Sequence, residues 1–332
     1  MGVATTPLGA APTAVLPRHV ELLRRVIPPA LRGRTAFRRF ALWSVLTNVL
    51  IVVSGGAVRL TDSGLGCGWP LCTPDSLAPT PAMGIHSFIE FGNRMMSGVV
   101  GIVALIVLIL VWRMRRTRRD LWWLALVVVL GVLLQAIVGG VTVRTDLNAG
   151  IVSFHYVASV VLVCVTAAFL VRMNVSPGPR ERAVPRWFAI LTHITSFVLA
   201  LTLLFGVLTT ANGPHSGDPE VIRHGFDATL LAHIHSWPGY TLFALSLVLL
   251  IAAMMQHLPV RRWLMALVAL EIVQIGVGVL QARTELPPLL VGIHMIIAAL
   301  TAATMTAVVL NLKRPATVAH TQAPAPSTPV TA

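Results

Sequence analysis

The sequence predicts an all-α integral membrane protein in which eight transmembrane helices form two pseudo-symmetric four-helix bundles. Three observations carry this expectation. Of 332 residues, 56% are hydrophobic and only 11% charged, against roughly 25% charged in an average soluble domain. Eight apolar runs are each long enough to cross a hydrocarbon core of about 30 Å, which takes about 20 helical residues. Two distant segments also repeat each other in their rare polar residues, and not only in leucine and valine.

The runs fall at 40–58, 84–112, 121–143, 150–172, 187–210, 228–256, 262–282 and 287–312. Residues 1–39 precede them as a cytoplasmic N-terminal segment. It lacks the charged and short apolar regions of a cleaved signal, so the first run directs insertion; its opening MGVATT matches a myristoylation pattern only weakly. Residues 40–172 make the N-terminal half, 173–186 a cytoplasmic linker and 187–312 the C-terminal half, and 313–332 read as a disordered cytoplasmic tail rich in proline, alanine and threonine.

The net charge of +13 would suggest a polyanionic partner if the cations were clustered at random. They alternate by connection instead. Arg24, Arg25, Arg32, Arg34, Arg38 and Arg39 precede the first run, RMRRTRR joins the second and third, RERAVPR the fourth and fifth, and Arg261 and Arg262 the sixth and seventh, while Lys313 and Arg314 follow the eighth. By the positive-inside rule these connections and both termini are cytoplasmic. The charge is topology, with the lipid bilayer as partner and no nucleic acid.

QAIVGGVTVRTDLNAGIVSFH, across the third and fourth runs, overlays QIGVGVLQARTELPPLLVGIH, across the seventh and eighth, without a gap. Gln135 meets Gln274, Gly139 meets Gly278, Arg144 meets Arg283, Thr145 meets Thr284, Asp146 meets Glu285 and His155 meets His294, at a constant offset of 139. The chain therefore reads as a duplicated four-helix unit. An even number of spans per unit gives both halves one orientation, a parallel repeat about an axis along the membrane normal. In the second and sixth runs the preferred overlay sets Asn93 opposite His235, without the same gap-free support.

Counted from the outer helix ends, Glu90, Asn93, His155, His235 and His294 lie roughly 10–15 Å deep at 1.5 Å rise per residue. His86, Glu90, Asn93 and Ser97 form one stripe of the second run, and Glu271, Gln274, Gly278 and Gln281 one of the seventh. Ionisable groups at such depth cost several kcal/mol unless they face a bundle interior or cavity. Two facing histidines of a helical bundle can ligate a haem iron axially, and His235 and His294 make such a pair. Arg59, Arg144 and Arg283, at outer helix ends, can then pair with haem propionates.

The plainer alternative has the histidines bonded to neighbouring helices and the arginines reaching the headgroups; the repeated Gln–Arg–His spacing favours the haem. No C-x-x-C-H is present, which excludes c-type attachment. A cytochrome b-type electron carrier and a transporter with parallel repeats remain competing readings. The transporter is disfavoured because the polar layer lies toward one face and no run has an evident unwound Gly/Pro break at its centre. Cys67 and Cys72 fall in the first external loop, where oxidants favour a disulfide; the alternative is a pair of free thiols.

Together GGAVRLTDSGLGCGWPLC, HSFIEFGNRMMSG, GGVTVRT with the following His155, NGPHSGD and HIHS resemble the haem A synthase family, the CtaA-type membrane enzymes, over residues 40–312. The resemblance implies an oxidoreductase that oxidises the C8 methyl of haem O to a formyl group, making haem A for cytochrome oxidase. It implies a haem b cofactor in the C-terminal half on His235 and His294, with Arg283 nearby, and haem O as substrate in the N-terminal half. There it makes Glu90 the catalytic residue and His155 an axial or near-axial residue, with Asn93, His86, Arg144 and Arg59 around the substrate. A haem O synthase becomes a candidate partner, the membrane is a bacterial-type cytoplasmic membrane, and the electron donor and oligomeric state stay open. Two departures stand out: Asn93 replaces a histidine of many relatives, which leaves His155 alone or with His86 at the iron, and the cysteine loop is one residue shorter than C-x5-C.

Overall fold

In a computed structural model of the chain, which describes residues 34–221 and 227–316, eight helices are long and apolar enough to cross a membrane. They are α1 (Arg34–Leu60), α2 (Gly84–Trp112), α3 (Arg119–Arg144), α4 (Ala149–Met173), α5 (Arg186–Ala211), α6 (Ala228–Met255), α7 (Arg261–Arg283) and α8 (Pro288–Leu310). Seven of them match the expected runs to within two residues, whereas α1 begins well before residue 40. Arg38 and Arg39 are helical because arginine is a good helix former and its stem can lie along apolar surface.

The duplication is visible in the backbone. After α3, Asp146 and Leu147 take φ of 48° and 55°; after α7, Glu285 and Leu286 take 61° and 57°. The Leu147 N–H bonds the Thr142 carbonyl at 2.9 Å, and the Leu286 N–H bonds the Gln281 carbonyl at 2.9 Å. Both are Schellman-type stops in which an acidic residue and a leucine replace the usual glycine, at a cost of about 1–2 kcal/mol per left-handed residue. The following helix starts at once: Asn148 Oδ1 caps α4 through the Gly150 and Ile151 N–H groups, and Pro288 opens α8.

Each half packs its helices in sequence, α1 on α2, α2 on α3 and α3 on α4, then α5 on α6, α6 on α7 and α7 on α8. The halves meet where α4 and α1 lie against α8, around a core of Val52, Val160, Val163, Ala299 and Ala302. Alanines there let backbones approach closely, the packing that substitutes for a hydrophobic driving force in lipid. Near this seam the Tyr156 hydroxyl donates to the Met295 carbonyl at 3.2 Å. These two residues are each other's repeat equivalents, so the contact marks the pseudo-two-fold axis. Large apolar side chains such as Ile102, Leu133, Ile137 and Phe197 remain exposed on the outer surface, where lipid would cover them.

The end of the bundle opposite the cysteine loop carries a two-stranded antiparallel ladder, β1 (Arg180–Arg182) with β2 (Lys313–Pro315). The expected linker and tail thus begin as ordered structure. Backbone pairing and an ion pair from Arg314 to Glu181 at 2.7 Å hold them, a pairing with no apolar pattern to announce it. The rest of the expected tail and N-terminal segment, residues 317–332 and 1–33, lies outside the described residues.

Candidate functional site: paired imidazole cradles and a clamped carboxylate

In the second half, His235 projects from α6 and its Nδ1 lies 2.9 Å from the Thr202 carbonyl of α5. Gly206, one turn along α5, makes the space: a Cβ there would stand 2.9 Å from His235 Cε1. His294 of α8 is seated the same way on Gly278 of α7, where a Cβ would stand 3.1 Å from its Cε1. Its Nδ1 is buried without a hydrogen-bond partner. With its Nδ1 bonded to a carbonyl, His235 has its tautomer set and its Nε2 keeps a lone pair for a metal.

The two rings stand 6.2 Å apart between centroids with planes at 76°. That spacing leaves room for one ion between the two rings, each imidazole–metal bond taking about 2 Å. Among the described residues no group of three or more His, Cys, Asp or Glu could hold a bare ion. Two opposed imidazoles without further protein ligands fit an iron that brings its own equatorial nitrogens, as haem does.

The first half repeats the cradle with one member changed. His155 of α4 lies against Gly139 of α3, where a Cβ would stand 3.4 Å from Cε1, and its Nδ1 is buried without a hydrogen-bond partner. Gln135 fixes this segment of α4 by donating to the His155 carbonyl at 2.8 Å and to Ser159 Oγ at 2.6 Å. In the place of His235 stands Asn93, whose Oδ1 accepts from Ser54 Oγ at 2.7 Å and lies 3.8 Å from the Cβ position of Gly55 on α1. Asn93 and His235 thus both face a glycine of the first helix of their half, which supports the overlay the sequence could only prefer.

Glu90 is one turn away on α2 and only 4% exposed. Both carboxylate oxygens are held: Oε2 accepts the Cys67 N–H at 2.6 Å and Oε1 is ion-paired with Arg94. Arg94 also donates to the Gly68 carbonyl at 2.7 Å and the Cys67 carbonyl at 3.0 Å. The loop so gripped is closed by a Cys67–Cys72 disulfide. Gly66 lets it lie directly on α2, since a Cβ there would come within 2.8 Å of the His86 and Ser87 backbone.

The loop then carries Trp69 onto α3 at Gly140, where any Cβ would overlap the indole ring, and the Arg144 guanidinium lies over that ring at 4.9 Å. Gly140→Ala is accordingly expected to destabilise the protein by about 1–3 kcal/mol, the cost of overpacking. Gly92→Ala, where the added methyl meets nothing, should not. Thermal unfolding of both variants checks this, and equal midpoints would count against the seat.

The other expected site residues lie at the cysteine loop and the adjoining helix ends. His86 Nδ1 bonds Ser63 Oγ at 3.0 Å at the loop. Arg59 crosses to the other half, donating to the Thr210 carbonyl at 2.6 Å and the His215 carbonyl at 2.8 Å, and His215 Nε2 in turn lies 2.8 Å from the Leu286 carbonyl. Arg283 is exposed at the end of α7. Arg94, Trp69, Gly140, Thr202 and Gly206 were not singled out as site residues from the sequence. Only Arg94 carried a local signal, its i,i+4 spacing from Glu90.

Parts of the sequence are similar to those of several heme A synthases. The heme A synthase of Alkalihalophilus pseudofirmus is 30% identical over 141 residues, 39% of this chain and 47% of that protein. That of Bacillus licheniformis is 30% identical over 128 residues, 38% and 41% of the two chains, and that of Listeria welshimeri 36% over 124 residues, 36% and 40%. The match thus spans less than half the length of each of these relatives. A model of the COX15-CtaA family, described as cytochrome oxidase assembly protein, matches residues 38–306, which covers all eight helices but for the first turn of α1 and the last of α8. The chain therefore belongs to the COX15-CtaA family of cytochrome oxidase assembly proteins.

Proposed function

We propose that the protein is a haem A synthase, an oxidoreductase that converts the C8 methyl of haem O to a formyl group. The observation that carries this is the asymmetry between two otherwise equivalent cradles. One offers two imidazoles across 6.2 Å; the other has His155 on its glycine and, where the overlay puts His235, Asn93, an amide that binds iron poorly. Such a pair suits one tightly held haem b on His235 and His294 and one exchangeable haem O beside His155. A two-haem electron carrier would need two ligands in each half. Bound haem b would supply one-electron redox chemistry.

The chain's own residues orient and anchor. Gln135 holds the His155 backbone and Gly139 seats its ring beside the substrate. Arg144 and Arg283, at the ends of α3 and α7, suit propionate carboxylates. Glu90 acts as a positioning residue, holding the disulfide loop on α2 beside the substrate position. The disulfide supports an oxidising location for that loop, and the arginines at the opposite end support a cytoplasmic one for both termini. The setting is then a bacterial inner membrane, with a haem O synthase delivering substrate from within the bilayer.

The test is pyridine haemochrome spectroscopy with chromatographic haem extraction, on protein purified from cells co-expressing a haem O synthase. Haem b together with haem O or haem A is the expected result. Two equivalents of haem b alone, or no haem, would overturn the reading.

A further inference from the structure

At the end of the bundle opposite the disulfide loop a cavity of about 780 Å³ opens between the halves. Four cations line it: Arg172 from the last turn of α4, Arg180 and Arg182 from β1, and Lys313 from β2. Its remaining wall is mainly apolar, including Val309 and Leu310 of α8 and Leu312 beyond it. The two acids beside these cations are each ion-paired with another arginine, although Asp120 still attracts Arg172 and Arg180. Asp120 pairs with Arg118 at 3.1 Å, and Glu181 pairs with Arg314 at 2.7 Å.

The ladder makes the charge more demanding. Its register sets Arg182 directly opposite Lys313, a like-charge cross-strand pair that is destabilising in itself. Burial, together with the guanidinium groups of Arg172 and Arg118, holds Arg180 below the ordinary arginine range, against the pull of Asp120. Topology alone asks for arginines somewhere in this connection. It does not ask that they converge on one cavity and face another cation across two paired strands. An anion between them removes both penalties.

We propose that this cavity binds the phosphate-bearing headgroup of an anionic phospholipid. The cavity lies where α4 and α8 end and α5 begins, at the level of the headgroups, and it combines guanidinium donors for phosphate with an apolar wall for the acyl stems. A free phosphate compound would satisfy the cations but not the wall. Because β1 belongs to the connection between the halves and β2 follows α8, the bound lipid ties the two four-helix units together. The inference does not depend on the haem chemistry.

The test uses the full chain in nanodiscs of phosphatidylcholine, with and without phosphatidylglycerol. Phosphatidylglycerol is expected to raise the midpoint of thermal unfolding by about 2–4 °C. The double variant Arg180→Gln/Arg182→Gln should lose most of that gain while unfolding normally in pure phosphatidylcholine. Arg113→Gln/Arg116→Gln, two exposed cations of the α2–α3 connection, should keep it. If the first double variant does not fold, Lys313→Gln, on the other strand, takes its place. An unchanged gain in the cavity variants, or an equal loss in the Arg113/Arg116 pair, would reduce the effect to general surface charge and overturn the site. The same gain from inorganic phosphate in phosphatidylcholine discs would overturn the lipid as its occupant.

Discussion

His294→Ala is expected to yield protein almost free of tightly bound haem, with the absorbance of a low-spin b-type centre lost. The expectation follows from the cradle. The His294 and His235 rings stand 6.2 Å apart, and the bond of His235 Nδ1 to the Thr202 carbonyl leaves its Nε2 as the metal-binding nitrogen. Losing a group that merely orients a ligand weakens metal binding by about 10–100-fold, and losing the ligand itself should exceed that.

Gly278→Val supplies the graded version. A Cβ there already stands 3.1 Å from the His294 ring, so a branched side chain must push the imidazole aside while leaving it present; partial occupancy is the expected outcome. His155→Ala should leave the tight haem at one equivalent and lose only co-purifying haem O. Haem-to-protein stoichiometry by pyridine haemochrome reads all three. A full equivalent of low-spin haem b in His294→Ala would remove the C-terminal cradle from the argument.

Much of this arrangement was legible in the sequence because membranes simplify the code. Hydrocarbon thickness fixes the length of an apolar run, so the spans could be placed closely, with α1 the exception where arginines continue the helix. The repeat was legible because it lies in polar residues, and the left-handed turns after α3 and α7 show that it extends to backbone conformation. The glycine cradles were half-legible: Gly139 and Gly278 belong to the repeat, whereas Gly206 touches His235 only through the packing of α5 on α6. What stayed hidden depends on loops meeting in space. Arg59 looked like a propionate partner at a helix end, and nothing local tells that His215 and Thr210 of the other half offer it carbonyls. Gly140 in the first half corresponds to Val279 in the second, a difference that makes sense only once Trp69 is seen to need the space. The β1–β2 ladder is made of charges and one proline, with no alternation to read.

Glu90 is where the structure changes the reading most, and Glu90→Gln is expected to abolish conversion of haem O while leaving haem b in place. The sequence makes this glutamate a candidate for direct chemistry, yet both its oxygens are held by the protein, one by the Cys67 N–H and one by Arg94. Glutamine can still accept from Cys67, but it presents a neutral amide to a guanidinium that is only 21% exposed. Breaking a buried ion pair by removing one partner costs about 3–5 kcal/mol, and the residual exposure of Arg94 puts the expected loss at the lower end. The unfolding midpoint should therefore fall together with activity. Arg94→Gln separates the two roles, since it keeps the carboxylate and removes the clamp on Gly68 and Cys67. If Glu90 works by holding the loop, Arg94→Gln loses conversion as Glu90→Gln does, and the double variant is scarcely worse than either, the signature of strongly coupled partners. If Arg94→Gln converts haem O normally while Glu90→Gln does not, the carboxylate leaves its clamp during turnover and acts on the substrate itself.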